Sequence, residues 1–194
     1  EFTDILIKNC EEHGMKFHGG EGVKEIVADN GKVSKVVTDK GEYECDTVVM
    51  AVGVKPNTAW LKDTLAMNEK GFVEVNEYLE SSEKDIYVAG DATFIPFAPD
   101  HGKRPIALAS NARRQAVIAA KNLLHGNKME MVEVSGTSGL ALFDYHFACT
   151  GVKDVDAKTI GKEVDSKYYE EQILPDFIQN PETVHMKIHF EKDS

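Results

Sequence analysis

The sequence predicts a mixed α/β fold, and three observations predict it. Residues 1–13 and 105–125 space their apolar or small side chains at helical intervals. Residues 22–53 alternate strand-like runs with hairpin turn residues. Two apolar runs, 48–52 and 86–89, each end in a glycine, Gly53 and Gly90, as core strands do when they reach a turn.

Each element follows from its own pattern. Phe2, Ile5, Leu6 and Cys10 share one face of a first helix, and Gly14 is its stop signal. "GMKFHGG" enters a strand. "GVKEIVAD", "KVSKVVTDK" and "GEYECDTVVMAVG" then read as a three-stranded antiparallel meander, because Asn30-Gly31 and Lys40-Gly41 supply turn chemistry between them. Its last strand closes on a fully apolar run, typical of burial on both faces. Residues 54–66 form a loop at Pro56-Asn57 and then a short helix, 72–79 a further strand, and 86–89 a short buried one. Residues 93–104 hold two prolines and read as a loop. A long helix opens between Pro105 and Ser110 and closes at His125, with Gly126 beyond it. The last third is strand-like with Gly and Ser bends, "SKYYEEQ" fits either class, and "TVHMKIHFEKDS" alternates as a strand that stops at Asp193-Ser194 with no return strand. Both ends suggest a piece of a longer protein. No internal repeat or low-complexity segment is present.

Composition narrows the function classes. The 194 residues are 42% hydrophobic and 28% charged, a soluble globular balance. A net charge of −11 argues against nucleic acid or an anionic membrane as partner. No apolar run approaches the roughly 20 residues that span a bilayer, and the start carries no signal-peptide pattern. Cys10, Cys45 and Cys149 are far apart and odd in number, so they read as reduced, mostly buried thiols of a cytoplasmic protein.

Three local constellations can carry chemistry. Gly53 either ends a core strand or lets a ligand approach the backbone closely. In "DIYVAGDAT", Gly90 removes a Cβ and Asp91 presents a carboxylate where open α/β sheets bind ligands; the acid either accepts hydrogen bonds from a sugar hydroxyl or caps the next turn. In "PIALASNARRQAVIAAKNLLHG", Ala109, Ala112, Ala116 and Ala119 fall on one face, suited to close packing on a sheet. The helix start at Leu108, Ala109 and Ser110 offers unpaired N–H groups and the positive dipole end, which suit a ligand that turns anionic, although an ordinary packing helix has the same pattern.

In order and spacing, "DTVVMAVGVKPNTAWL", "DIYVAGDAT", "RPIALASNARRQAVIAAKNL" and "GTSGLALFDYHFACTGV" resemble the flavin-dependent pyridine nucleotide–disulfide oxidoreductases over essentially the whole chain. The NADH oxidase, NADH peroxidase and coenzyme A-disulfide reductase branch is most similar, through "ALASNA" and "SGLALFDYHFACTG". The resemblance implies a flavoprotein fold with two dinucleotide-binding domains. Residues 1–55 would be the second half of the NAD domain, 56–130 the C-terminal FAD segment, and 131–194 the first part of a dimerisation domain. It implies FAD and NAD(P)H as cofactors and a homodimer. Asp91 matches the acid that holds the FAD ribitol, and Gly90 permits that approach. Leu108, Ala109 and Ser110 match the helix start beneath the pyrimidine edge of the flavin. Gly53 and Ala107 match the nicotinamide pocket, and Gly136 and Gly139 the loop that opens the interface domain.

The resemblance also implies parts that this sequence lacks: both G-x-G-x-x-G fingerprints and the redox cysteine, whose position none of the three cysteines matches. No catalytic residue is therefore assigned. The implied activity is hydride transfer from NADH to flavin and on to oxygen, peroxide or a disulfide; a nucleotide-sensing flavoprotein without rapid turnover is the alternative. His185 and His189 lie about 13 Å apart on a strand, too far for one metal ion, and read as a solvated face. Arg113-Arg114 reads as a surface pair and Trp60 as a packing residue.

Overall fold

The first helix forms where the periodicity places it. In the computed structural model, which describes residues 2–175, 177–178 and 182–192, α1 spans Phe2–Glu12 and ends on Gly14, whose φ of +83° only glycine adopts freely. Phe2, Ile5, Leu6 and Cys10 are half-buried, and the most covered side chain is the polar Asn9, 2% exposed.

The meander follows. Strands β1 (Val23–Asp29) and β2 (Lys32–Thr38) pair antiparallel, joined by Asn30 at φ +49° and Gly31 at φ +79°, the double positive-φ signature of a primed hairpin turn. At the second turn, Thr38 Oγ1 accepts from the N–H groups of Lys40 (3.1 Å) and Gly41 (3.0 Å). Strand β3 is shorter than expected, Glu42–Glu44 only. Residues 48–52 form no strand, and Val49 and Val52 are each 85% exposed. An apolar strand needs hydrogen-bonded neighbours on its edges, and among the described residues none pairs with this run.

The chain divides into two compact units, Glu1–Val54 with Leu142–Tyr145, and Lys55–Ala141 with His146–Ser194. In the first, His13 stacks on Phe143 (ring centroids 4.2 Å apart, planes 9° from parallel) and its Nε2 lies 3.2 Å from the Asp144 carboxylate.

The second unit is built from loops and short strands around one long helix. Leu79, Ile95, Ile118, Met131 and Val134 make its core. Residues 86–89 are not a strand: Val88 N–H reaches Leu79 O (3.0 Å) and Tyr87 makes a single bridge to Glu80. Residues 72–79 likewise contribute only isolated bridges through Val73. Residues 93–104 are not a plain loop, since β4 (Ile95–Phe97) and β5 (Gly102–Arg104) pair antiparallel. Both prolines fit this: Pro96 faces Lys103 within the two-stranded ribbon and Pro99 lies in its connection. Helix α2 runs Ala109–His125, with Gly126 at φ +76° beyond it, and Pro105 lies outside its first turn.

The alanine stripe is not the buried face of α2. Asn111, Gln115, Ile118 and Asn122 are buried, whereas Ala109 and Ala116 are exposed and Ala112 and Ala119 half-buried, Ala119 against the core. Two of these amides, Gln115 and Asn122, occupy inward positions where they bond to backbone that the surrounding loops leave unpaired.

Further on, β6 (Ser138–Leu142) and β7 (Tyr145–Cys149) pair as a hairpin, α3 spans Asp154–Thr159, and β8 (Val164–Gln172) pairs antiparallel with β9 (Thr183–Glu191). "SKYYEEQ" is thus a strand, and it is the antiparallel partner of β9. Asp193 and Ser194 lie outside the described residues. The face carrying His185 and His189 is the better covered one, while Met186, Ile188 and Phe190 are 45%, 44% and 45% exposed. The expectation of a solvated histidine face is therefore inverted. Tyr168 approaches from β8 and hydrogen-bonds the His185 ring at 2.6 Å.

Candidate functional site

Gly90 and Asp91 sit in one turn of 3-10 helix, Gly90–Ala92, entered from extended Ala89. Gly90 has φ +78°, a conformation that costs an L side chain about 1–2 kcal/mol. Both ends of the turn are tied down. Val73 N–H donates to Ala92 O (2.9 Å), and the buried Thr93 hydroxyl donates to Val73 O (2.7 Å). At the other end Gly90 N–H donates to Oε1 of Gln115 (2.8 Å), a side chain 2% exposed on α2. A Cβ on Gly90 would lie 3.7 Å from the Ala112 Cβ, so the turn rests on the early part of α2. Asp91 itself is exposed beside it.

Helix α2 opens from extended Leu108 without a side-chain cap or an acidic residue in its first turn. Its backbone ladder begins when Asn111 and Ala112 N–H both donate to Leu108 O, each at 3.0 Å. The amides of Ala109 and Ser110 precede that first rung, and both residues are exposed. They give the second unit a positive helix end suited to an electron-rich edge.

A cleft of about 280 Å³ lies beside this helix start, lined by Ser110, Asn111, Arg114 and residues 133–137. It brings Ser110 and Gly136 together. Gly136 has φ +66°, so its backbone geometry favours glycine, while a Cβ there would meet the Phe97 ring at 3.4 Å. Ala107 is exposed just ahead of the helix. Gly139 is a strand residue of β6 whose added Cβ would make an ordinary 3.5 Å contact with Phe147 O. Gly53, at φ +98° with open space around it, belongs to the first unit.

The ribbon between the turn and the helix carries its own charge pair. Asp100 Oδ1 accepts from Gly102 N–H (3.0 Å) and Oδ2 pairs with Arg104 (2.5 Å), whose guanidinium lies over the Phe97 ring at 4.8 Å. The Gly102 amide, then the Arg104 charge, hold the Asp100 carboxyl below the usual carboxylate range.

Other expectations resolve as follows. Arg113 and Arg114 are both exposed, as a surface pair is, and Arg114 also lines the cleft. Trp60 is 76% exposed rather than packed, held by its Nε1–H to Asn57 O (3.1 Å). The three cysteines are free thiols of intermediate exposure rather than mostly buried; Cys149 Sγ lies 3.3 Å from Ser138 Oγ. Among the described residues no group of His, Cys, Asp and Glu could hold a metal ion. None of their helices is long and apolar enough to cross a membrane. Gln115 was missed from sequence, where the amide stripe of Asn111, Gln115 and Asn122 at helical spacing was the signal available.

The profile of the family described as pyridine nucleotide-disulphide oxidoreductase matches residues 1–116. An NADH oxidase of Enterococcus faecalis is 41% identical over 192 residues, 98% of this chain and 43% of that protein. The water-forming NADH oxidase from Lactobacillus brevis, solved bound to NADH, superposes with a TM-score of 0.90 at 32% identity, over 98% of this chain and 42% of that one. A NAD-dependent persulfide reductase from A. fulgidus also gives 0.90, at 25% identity over 98% of this chain and 36% of that one. The chain thus spans less than half the length of the proteins it matches.

Proposed function

The chain belongs to the pyridine nucleotide-disulphide oxidoreductase family, and from that premise we infer that its parent protein is an FAD-dependent NAD(P)H oxidoreductase of the NADH oxidase type. The observation that carries this reading is the Gly90–Asp91 turn, bonded to α2 and seated against it close to the free amides at its start. FAD, when bound, would supply the redox chemistry, that is, hydride acceptance from NADH and onward electron transfer to oxygen, peroxide or a disulfide.

The residues present fit that group. The Asp91 carboxylate accepts hydrogen bonds from ribityl hydroxyls, and Gly90 keeps the approach clear of a side chain. The Ala109 and Ser110 amides, with Leu108 before them, face the pyrimidine edge and stabilise negative charge there. Gly53 and Ala107 serve the nicotinamide side, and Gly136 and Gly139 the opening of the interface segment. Residues 1–55, 56–130 and 131–194 are then the NAD, FAD and dimerisation portions. The exposed row Met186, Ile188 and Phe190 is consistent with a covered face in a homodimer. The free thiols fit a cytoplasmic protein, and the net charge of −11 disfavours nucleic acid.

Substitution in the full-length parent tests the reading. Asp91→Ala should weaken FAD binding about tenfold or more, since ribityl hydroxyls lose a charged acceptor, while Asp91→Asn should lose less. Flavin affinity of Asp91→Ala equal to that of the parent would sink the assignment.

A further inference from the structure

Gln115 is the buried side chain whose acceptor reaches from α2 to the Gly90–Ala92 turn. It is 2% exposed, lies one helical turn before the core residue Ile118, and gives Oε1 to the Gly90 N–H at 2.8 Å. An apolar side chain of similar volume would suit a packing role there without the desolvation an amide carries. The residue it holds is the one with a left-handed backbone, and the next residue is Asp91.

Resting on the flavin reading of Asp91, we propose that Gln115 is a positioning residue: its buried amide fixes the reach of the Asp91 carboxylate relative to the opening turn of α2. The geometry supports this from both ends of the turn. Val73 and Thr93 fix the exit of the turn through backbone and hydroxyl bonds, and Gln115 alone of the bonded side chains fixes its entry. Gln115 sits six residues after Ala109, about 9 Å along the helix axis. One rigid helix therefore carries both the amides at its start and the anchor for Asp91. The spacing between the two flavin contacts is set by α2 itself and not only by the intervening chain 93–108. Gln115 touches no flavin in this arrangement and acts only through Gly90.

The test uses the full-length parent, with flavin affinity and NADH kinetics measured side by side. Gln115→Asn keeps the amide but withdraws its oxygen by one bond, and Gln115→Met removes it; each should weaken FAD about tenfold. Gln115→Glu keeps an acceptor at the same reach and should retain most of the affinity. The KM for NADH measured on flavin-saturated protein should not move. In an Asp91→Ala background, Gln115→Asn should add less than about twofold, because its effect runs through a carboxylate already absent. Should Gln115→Met fail to fold, Gln115→Asn decides. Parent-like FAD affinity in Gln115→Asn alongside a weakened Asp91→Ala overturns this proposal alone, as do equal losses in all three Gln115 variants or full additivity in the double variant. An unaffected Asp91→Ala overturns the flavin reading and takes this proposal with it.

Discussion

Asn122 donates its side-chain amide to the carbonyl of Tyr78 at 2.9 Å, joining the last turns of α2 to a loop 44 residues earlier. The same amide donates to Met129 O (2.8 Å), and its Oδ1 accepts from the N–H groups of Lys128 (3.1 Å) and Met129 (2.9 Å). One side chain, 1% exposed, thereby satisfies four backbone groups around the end of the helix. Asn122→Leu should cost about 1–3 kcal/mol, measured by urea unfolding, because four backbone groups lose their partner at once. Asn122→Asp places a carboxylate against two carbonyls, so it should be less stable at neutral pH than at a pH where the acid is protonated.

Gly90 and Gly139 make a contrasting pair. At Gly90 the space for a methyl group exists, but φ is +78°. Gly90→Ala should therefore cost about 1–2 kcal/mol through the backbone alone. At Gly139 no positive φ is required and the new contact is ordinary. Gly139→Ala should stay within about 0.5 kcal/mol of the parent or gain slightly from reduced unfolded-chain freedom. Thermal melts of the two variants check both values, and the same melts run with added FAD should show a smaller ligand-induced rise in Tm for Gly90→Ala.

Acid sensitivity should localise in part to the ribbon β4–β5. The folded-state pKa of Asp100 is lowered by Gly102 N–H and Arg104, whereas in the unfolded chain it is near 3.9. Around that pH the unfolded state binds more protons than the native state. The contribution is therefore complete above the unfolded value and disappears as pH falls through the lower folded one. Urea midpoints followed downward from about pH 6 should fall in that acidic window, and Asp100→Asn should remove this part of the slope while lowering Tm by a few degrees at neutral pH.

Much of this was legible in sequence because local chemistry decides it. Gly14, Asn30-Gly31 and Gly126 end or turn their elements where their backbone freedom requires. Leu108, Ala109 and Ser110 open α2 as its pattern says. The errors share another cause. The runs at 48–52 and 86–89 have strand composition, yet a strand exists only with neighbours to bond, and no periodicity reports those. The alanine stripe is only half a packing face: Ala112 lies under Gly90 and Ala119 against the core, while Ala109 and Ala116 stay exposed. Gln115 and Asn122 are polar, so hydropathy reads them outward, whereas unpaired loop backbone draws them inward. Of the candidate site, Gly90, Asp91 and the helix start were visible as a motif, but the glutamine linking them was not, because its partner is backbone and leaves no trace in residue type.

The stacking of His13 on Phe143, with Asp144 beside both, bears on biosynthesis. Asn9 Nδ2 reaches the same Asp144 carboxylate, 135 positions further along the chain, at 3.4 Å. The N-terminal unit therefore lacks one of its pieces until the ribosome has released some three quarters of these residues. Its helix and meander can form early from neighbouring contacts, but their last partner arrives late, after the loop-rich core has also emerged. A stalled nascent chain ending before that turn should show α1 more open to proteolysis than the finished polypeptide does.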